Sequence, residues 1–255
     1  MIKITLSFDD GRRDNYINAV PVLMKFGLPA TFNITTDYIS ARYDENVPCK
    51  NSALTKDEII ELSNNSLFEI AGHGKQHNND FQNILEGINE LEQWTKRRPV
   101  GIASPNSKLS FKSVYANKEK YMKKGILYVR LGTRDKNETI FIRGMRKINR
   151  VLKKNWINGI VYKECYVKKE DDFVYPSIPV TYEMTVKNVE FLIQNAIKNN
   201  QDLILMFHSV CKQGEAYDAD FWTWNYDSFM NLCAYLKRQV DMRKISVVKM
   251  QEMIF

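Results

Sequence analysis

Apolar positions along the chain fall into short runs that alternate with stretches of helical period. Residues 2–6 form an apolar, β-branched run that predicts a buried first strand. Across 14–26, Tyr16, Ala19, Val20, Leu23 and Met24 recur at helical spacing up to Gly27. Pro21 predicts a kink there or a later start. Residues 29–34 predict a second strand, and the polar stretch 35–54 predicts a loop suited to shaping a cleft. Thr55-Lys-Asp-Glu58 reads as a capping box that opens a helix to about Asn64. Strands at 67–71, 100–103 and 126–131 alternate with helices at 80–96 and 110–124. Residues 139–142 predict a sixth strand before a basic helix that runs to about Lys154, and 159–167 predict another strand. Residues 173–179 read as an irregular aromatic loop. Helices at 185–199 and 226–240, strands at 203–207 and 245–248, and a last short helix at 249–255 complete the pattern. Such alternation implies right-handed crossovers, a mostly parallel sheet and the α/β class. About seven strands suit a barrel, and 255 residues suit a single domain spanning 1–255.

The strand ends carry the chemistry. Ser7-Phe8-Asp9-Asp10-Gly11 places two adjacent carboxylates where the first strand finishes, and Gly11 permits a sharp exit. A helix cap would explain one of these aspartates. The chain has only three histidines, however, and each follows an apolar run: His73 and His77 in Gly72-His-Gly-Lys-Gln-His77, and His208 after Met206-Phe207. The His-x-x-x-His spacing predicts two imidazoles on one side of a helical turn, an arrangement that suits zinc. Gly74 stands where the zincin motif needs its glutamate, so that motif is excluded.

In this order and spacing, Ser-Phe-Asp-Asp-Gly, His-x-x-x-His and Leu-Met-Phe-His resemble the polysaccharide deacetylases with the NodB-type domain, carbohydrate esterase family 4. The resemblance implies a distorted (β/α)7-8 barrel of mostly parallel strands. Carried over by position, it implies Asp9 as general base and Asp10, His73 and His77 as metal ligands. It also implies His208 as general acid, acting as an imidazolium. The ligand set favours Zn2+, with Co2+ or Ni2+ also suited. The implied reaction removes acetyl groups from N-acetylhexosamine-containing glycans or their precursors. The family's Arg-x-Pro-aromatic motif aligns with Ala103-Ser104-Pro105-Asn106, so the arginine that holds the base is missing. Arg130 and Arg134 are the nearest replacements, although solvated surface charges are the default reading of both. Pro105 remains a candidate substrate contact. Leu205 or Met206 is placed to receive the acetyl methyl, and Trp222 and Trp224 are either core anchors or a sugar-stacking wall.

Composition narrows the alternatives. The net charge of +7 comes from dispersed Lys and Arg without any nucleic-acid motif. It is read as solubility plus attraction for an acidic substrate or a membrane surface. The four cysteines form no Cys-x-x-Cys pair and read as reduced thiols. No apolar stretch reaches the length of a membrane span, and no signal peptide precedes the first strand, so the expectation is a cytoplasmic protein. Nothing in the pattern specifies an oligomeric state. Two rival functions fit the same residues: an amidohydrolase of a small non-sugar C–N bond, and a catalytically silent metal-containing glycan-binding module.

Overall fold

The structure, a computed structural model, describes residues 1–39, 53–133, 139–215 and 221–254. Its strands are β1 (Ile2–Phe8), β2 (Ala30–Ile34), β3 (Phe68–Gly72), β4 (Gly101–Ala103), β5 (Tyr128–Arg130), β6 (Val174–Tyr175), β7 (Ile178–Pro179), β8 (Leu203–Phe207), β9 (Ser209–Cys211), β10 (Thr223–Asn225) and β11 (Ile245–Val247). The helices are α1 (Val20–Phe26), α2 (Thr36–Ile39), α3 (Lys56–Asn64), α4 (Phe81–Thr95), α5 (Phe111–Ala116), α6 (Lys118–Met122), α7 (Ile140–Leu152), α8 (Asn155–Val161), α9 (Val186–Asn199) and α10 (Tyr226–Asp241).

One parallel sheet runs β6-β5-β4-β3-β2-β1-β8-β7, and β11 pairs with the first half of β1. Its two end strands are successive pieces of the stretch 174–179, the first paired with β5 and the second with β8. Chain continuity through Pro176 and Ser177 therefore joins the ends of a curled, mostly parallel barrel-like sheet. The expected aromatic loop at 173–179 is thus two short strands, because neighbours distant in sequence supply their hydrogen-bond partners.

Period-2 alternation sorts the strands into two faces. Ile4, Leu6, Phe8, Phe32 and Phe207 point outward into the main core beneath the helices. Phe8 stacks between Phe32 and Phe207, with ring centroids 5.1 and 5.2 Å away. Burying each such ring contributes about 1.5–3 kcal/mol. The other register faces the interior, where Glu69 accepts hydrogen bonds from Tyr128 Oη at 2.9 Å and Thr31 Oγ1 at 2.8 Å. The Tyr128 ring crosses its register partner Gly101 so closely that a Cβ there would lie 1.9 Å from the ring. Any side chain at 101 would break this packing.

Local signals account for several boundaries. Thr55 and Glu58 form the expected capping box, and Ser110 and Thr185 cap α5 and α9. Pro21 sits in the first turn of α1, after a π-helical turn at Asn15–Ala19. The structure corrects two expected strands. Residues 139–142 open α7, where Thr139 Oγ1 accepts from the Ile142 amide, and 159–167 mostly complete α8 and a short helical turn at Lys163–Cys165. Those apolar triplets look β-like alone, but they continue a helical stripe. Part of the expected 35–54 loop is α2, and the expected 110–124 helix breaks at Asn117 into α5 and α6. Arg134 and residues 40–52 lie outside the described residues.

Candidate active site

Asp9 follows β1 on the inward register, at the carboxyl end of the sheet. Neighbouring strands bring Asn33, His73, Arg130, Met206 and His208 to the same level and face. Arg130 Nη2 donates to both Asp9 oxygens, at 2.5 and 2.6 Å, and Asn33 Nδ2 donates to Oδ1 at 2.8 Å. Burial alone would raise the Asp9 carboxyl, but Arg130, His73 and His208 outweigh it and hold the pKa below the ordinary value. Asp9 is therefore an ionised carboxylate held in one orientation. Arg130 is only 1% exposed, so its default reading as a solvated surface charge is overturned.

Asp10 has left the strand. Its φ of 74° and the equal φ of Gly11 fold the chain back across the mouth of the barrel. Asp10 Oδ2 accepts from Arg12 Nε at 3.1 Å, and Arg12 Nη1 donates to Ser209 Oγ at 2.8 Å. Asp10 Oδ1 is buried without a hydrogen-bond partner, 3.4 Å from His73 Nε2 and 3.3 Å from His77 Nε2. The two histidines lie on a loop after β3, not on a helical turn; Gly74 and His77 have positive φ, which turns both imidazoles toward Asp10.

Three observations fit this trio to a divalent cation. The three ligand atoms lie within 4.8 Å of one another. A tetrahedral ion with bonds of about 2.0–2.1 Å keeps its ligand atoms roughly 3.3–3.4 Å apart. His73 Nδ1 lies 3.0 Å from the Ala103 carbonyl, which only accepts, so that nitrogen carries the proton and Nε2 offers its lone pair toward Asp10. Burial pushes the His73 pKa down, and Asp9 and Asp10 more than restore it. Asp10 is likewise driven up by burial, but His73, His77, His208 and Arg12 hold it well below the carboxylate range. The paired carboxylates thus call for positive charge here, which a metal ion would supply.

His208 Nε2 stands 4.0 Å from Asp9 Oδ2. Burial lowers its pKa to about 4, despite the opposing pull of Asp10 and Asp9, so its environment favours the neutral imidazole at pH 7.

These groups open on a cavity of about 390 Å³ that Met206, Pro179, Asn106, Arg146 and Trp222 help to line. Its size suits one sugar-sized ligand. Trp222 lies against His208 with ring centroids 4.5 Å apart and stays 37% exposed. Two candidate sugar contacts need correction, and the choice between Leu205 and Met206 is resolved. Trp224 is a core anchor, 2% exposed and donating Nε1–H to the Met184 carbonyl at 2.8 Å, so it forms no sugar wall. Pro105 is buried behind its wall-forming neighbours Ser104 and Asn106. Leu205 faces the outer core, which leaves Met206 on the cavity side. Arg12, Asn33 and Arg146 escaped sequence reasoning. Asn33 had a signal, an amide in the apolar run Phe32-Asn-Ile34 at the end of a strand.

The polysaccharide deacetylase family profile matches residues 2–124. No curated protein matches the chain. Among solved structures, a family 4 acetyl xylan esterase from Clostridium thermocellum, in complex with a cobalt ion, aligns over 98% of this chain and 89% of its own. That alignment has 13% identity and a TM-score of 0.51, and it shows the shared (β/α)7-8 fold. A deacetylase domain from Bordetella bronchiseptica aligns at 16% identity and a TM-score of 0.42, over 51% of this chain and 63% of its own. A polysaccharide deacetylase from Bacillus cereus aligns at 23% identity and a TM-score of 0.40, over 50% of this chain and 39% of its own.

Proposed function

We propose that the chain, whose residues 2–124 match the polysaccharide deacetylase profile, is a divalent-metal-dependent hydrolase of N-acetylated hexosamines in glycans or glycan precursors. The observation that carries this reading is the unpartnered Asp10 Oδ1 facing two imidazole nitrogens, beside an Asp9 that Arg130 keeps ionised. A binding module has no need of that second, oriented carboxylate.

Asp10, His73 and His77 would hold the ion. When bound, such an ion lowers the pKa of a water and polarises the substrate carbonyl. Zinc is the first choice for two imidazoles and one carboxylate, with cobalt or nickel also suited. Asp9 takes a proton as the water oxygen bonds to the acetyl carbon. His208, neutral at rest, gains that proton from Asp9 and delivers it to the nitrogen as the C–N bond breaks. Acetate and a free amine result. Met206 borders the acetyl methyl, and Trp222 offers its exposed ring to a sugar face.

The test is acetate release from an N-acetylglucosamine oligosaccharide by the purified chain supplied with Zn2+ or Co2+. Acetate appearing with stoichiometric free amine supports the reading. Turnover of small non-sugar amides alone, or glycan binding without any acetate, would overturn it.

A further inference from the structure

Helix α7 lies beside the cavity mouth and carries a surface that the catalytic reading does not use. Its thirteen residues contain Ile140, Phe141, Ile148, Val151 and Leu152, which lie within about 120° of one another at 100° per residue. A helix of a globular protein normally turns such a stripe inward. Here none of its residues is buried: Ile140 and Val151 are each 83% exposed, and Phe141, Ile148 and Leu152 are also exposed. The helix instead rests on its flank. Asn149 Nδ2 donates to Asn158 Oδ1 at 2.6 Å, and Arg150 pairs with Glu183 at 3.1 Å. The exposed Trp156 follows on α8.

Charge identifies what covers this face. Residues 139–163 contain seven Lys or Arg and no Asp or Glu, and Arg143, Lys147, Lys153 and Lys154 are exposed. In a symmetric pair formed through this face, the same basic residues would oppose one another. No helix among the described residues is long and apolar enough to cross a membrane. An apolar stripe bordered by bases, with an exposed tryptophan at its end, has the form of a helix that lies in a lipid–water interface.

We propose that α7, with Trp156, docks on an anionic lipid bilayer. The apolar stripe enters the headgroup–acyl boundary while the exposed Arg143, Lys147, Lys153 and Lys154 meet lipid phosphates. Arg146 leaves this helix toward the cavity, and Arg150 lies over the Phe221 ring beside Trp222. Docking therefore holds the cavity mouth near the bilayer surface, where a headgroup-linked substrate would be presented. The binding itself does not depend on the proposed reaction.

Co-sedimentation of the full chain with sucrose-loaded vesicles tests the proposal without measuring activity. The chain should bind vesicles of phosphatidylcholine containing about one third phosphatidylglycerol, and bind pure phosphatidylcholine far more weakly. Ile140→Glu with Val151→Glu should reduce partition at least about tenfold, and Lys147→Glu with Lys154→Glu by roughly fivefold or more per residue. All four side chains are exposed, so an unchanged far-ultraviolet spectrum and melting temperature should accompany the loss. Failure of the parent to bind anionic vesicles would overturn the proposal, as would equal binding by parent and variants. A concentration-dependent dimer that Ile140→Glu and Val151→Glu abolish would assign the face to a second copy and overturn it too.

Discussion

Ala103 and Arg130 are register partners on β4 and β5, and the Arg130 guanidinium reaches the Asp9 carboxylate that the family resemblance assigns to an arginine at 103. The charge is kept at the same level of the barrel but supplied from the next strand. Moving it sideways preserves both the inward direction and the height, because parallel strands in register present equivalent positions.

This relationship predicts a rescue. Arg130→Ala leaves a buried carboxylate without its main partner, so stability should fall by about 3–5 kcal/mol and turnover by at least a hundredfold. Restoring a guanidinium by Ala103→Arg in the Arg130→Ala background should recover part of both losses. Urea unfolding and acetate release read the outcome. A double variant no better than the single one would show that Arg130 acts from its own position only.

The neighbouring carboxylates should separate by metal content. The parent should carry about one divalent ion per chain, measured by elemental analysis after loading and desalting. His73→Ala, His77→Ala and Asp10→Asn should lower that content, and excess metal should recover part of the Asp10→Asn activity. Asp9→Asn should keep the ion and lose roughly a hundred- to ten-thousand-fold in rate, without rescue. Metal loss in Asp9→Asn with retention in Asp10→Asn would reverse the two assignments.

His208 should matter through the leaving group. Removing a proton donor hurts an amide more than an ester, whose alkoxide leaves more readily than an amine. His208→Ala should therefore cut amide turnover by at least about a hundredfold, spare metal content, and cost an acetate ester substantially less. Equal losses on both substrates would mean that His208 only positions the substrate against Trp222.

Asp14 sets a pH dependence of stability. Burial raises its carboxyl from 3.8 to about 6, although Ser209, Arg12 and Cys211 pull the other way. The folded pKa exceeds the unfolded one, so the folded chain binds the extra proton and this contribution is lost as pH rises from about 4 through 6. Asp14→Asn should be more stable than the parent at pH 7.5, by up to about 3 kcal/mol, with the gap closing near pH 4. An identical gap at both pH values, measured by urea unfolding, would contradict the assignment.

What the sequence determined by itself were the features written in local period and local caps. The runs that became β1, β2, β3 and β8, the capping box at Thr55, and the placing of Asp9, Asp10, His73 and His208 at strand ends need only neighbouring residues to be read. Tertiary structure decided whatever depended on a partner far along the chain. Arg130 became the holder of Asp9 across 121 positions, and residues 174–179 became strands because β5 and β8 pair with them. Trp222 and Trp224, two residues apart, were separated into cavity rim and core by the packing of Phe207 beneath Trp224. The same composition at 139–152 is compatible with strand or helix until the Thr139 cap and the flank contacts of α7 select the helix. Hydrophobic pattern reports which faces tend to be buried, whereas the identity of the group that meets each face is a property of the assembled sheet.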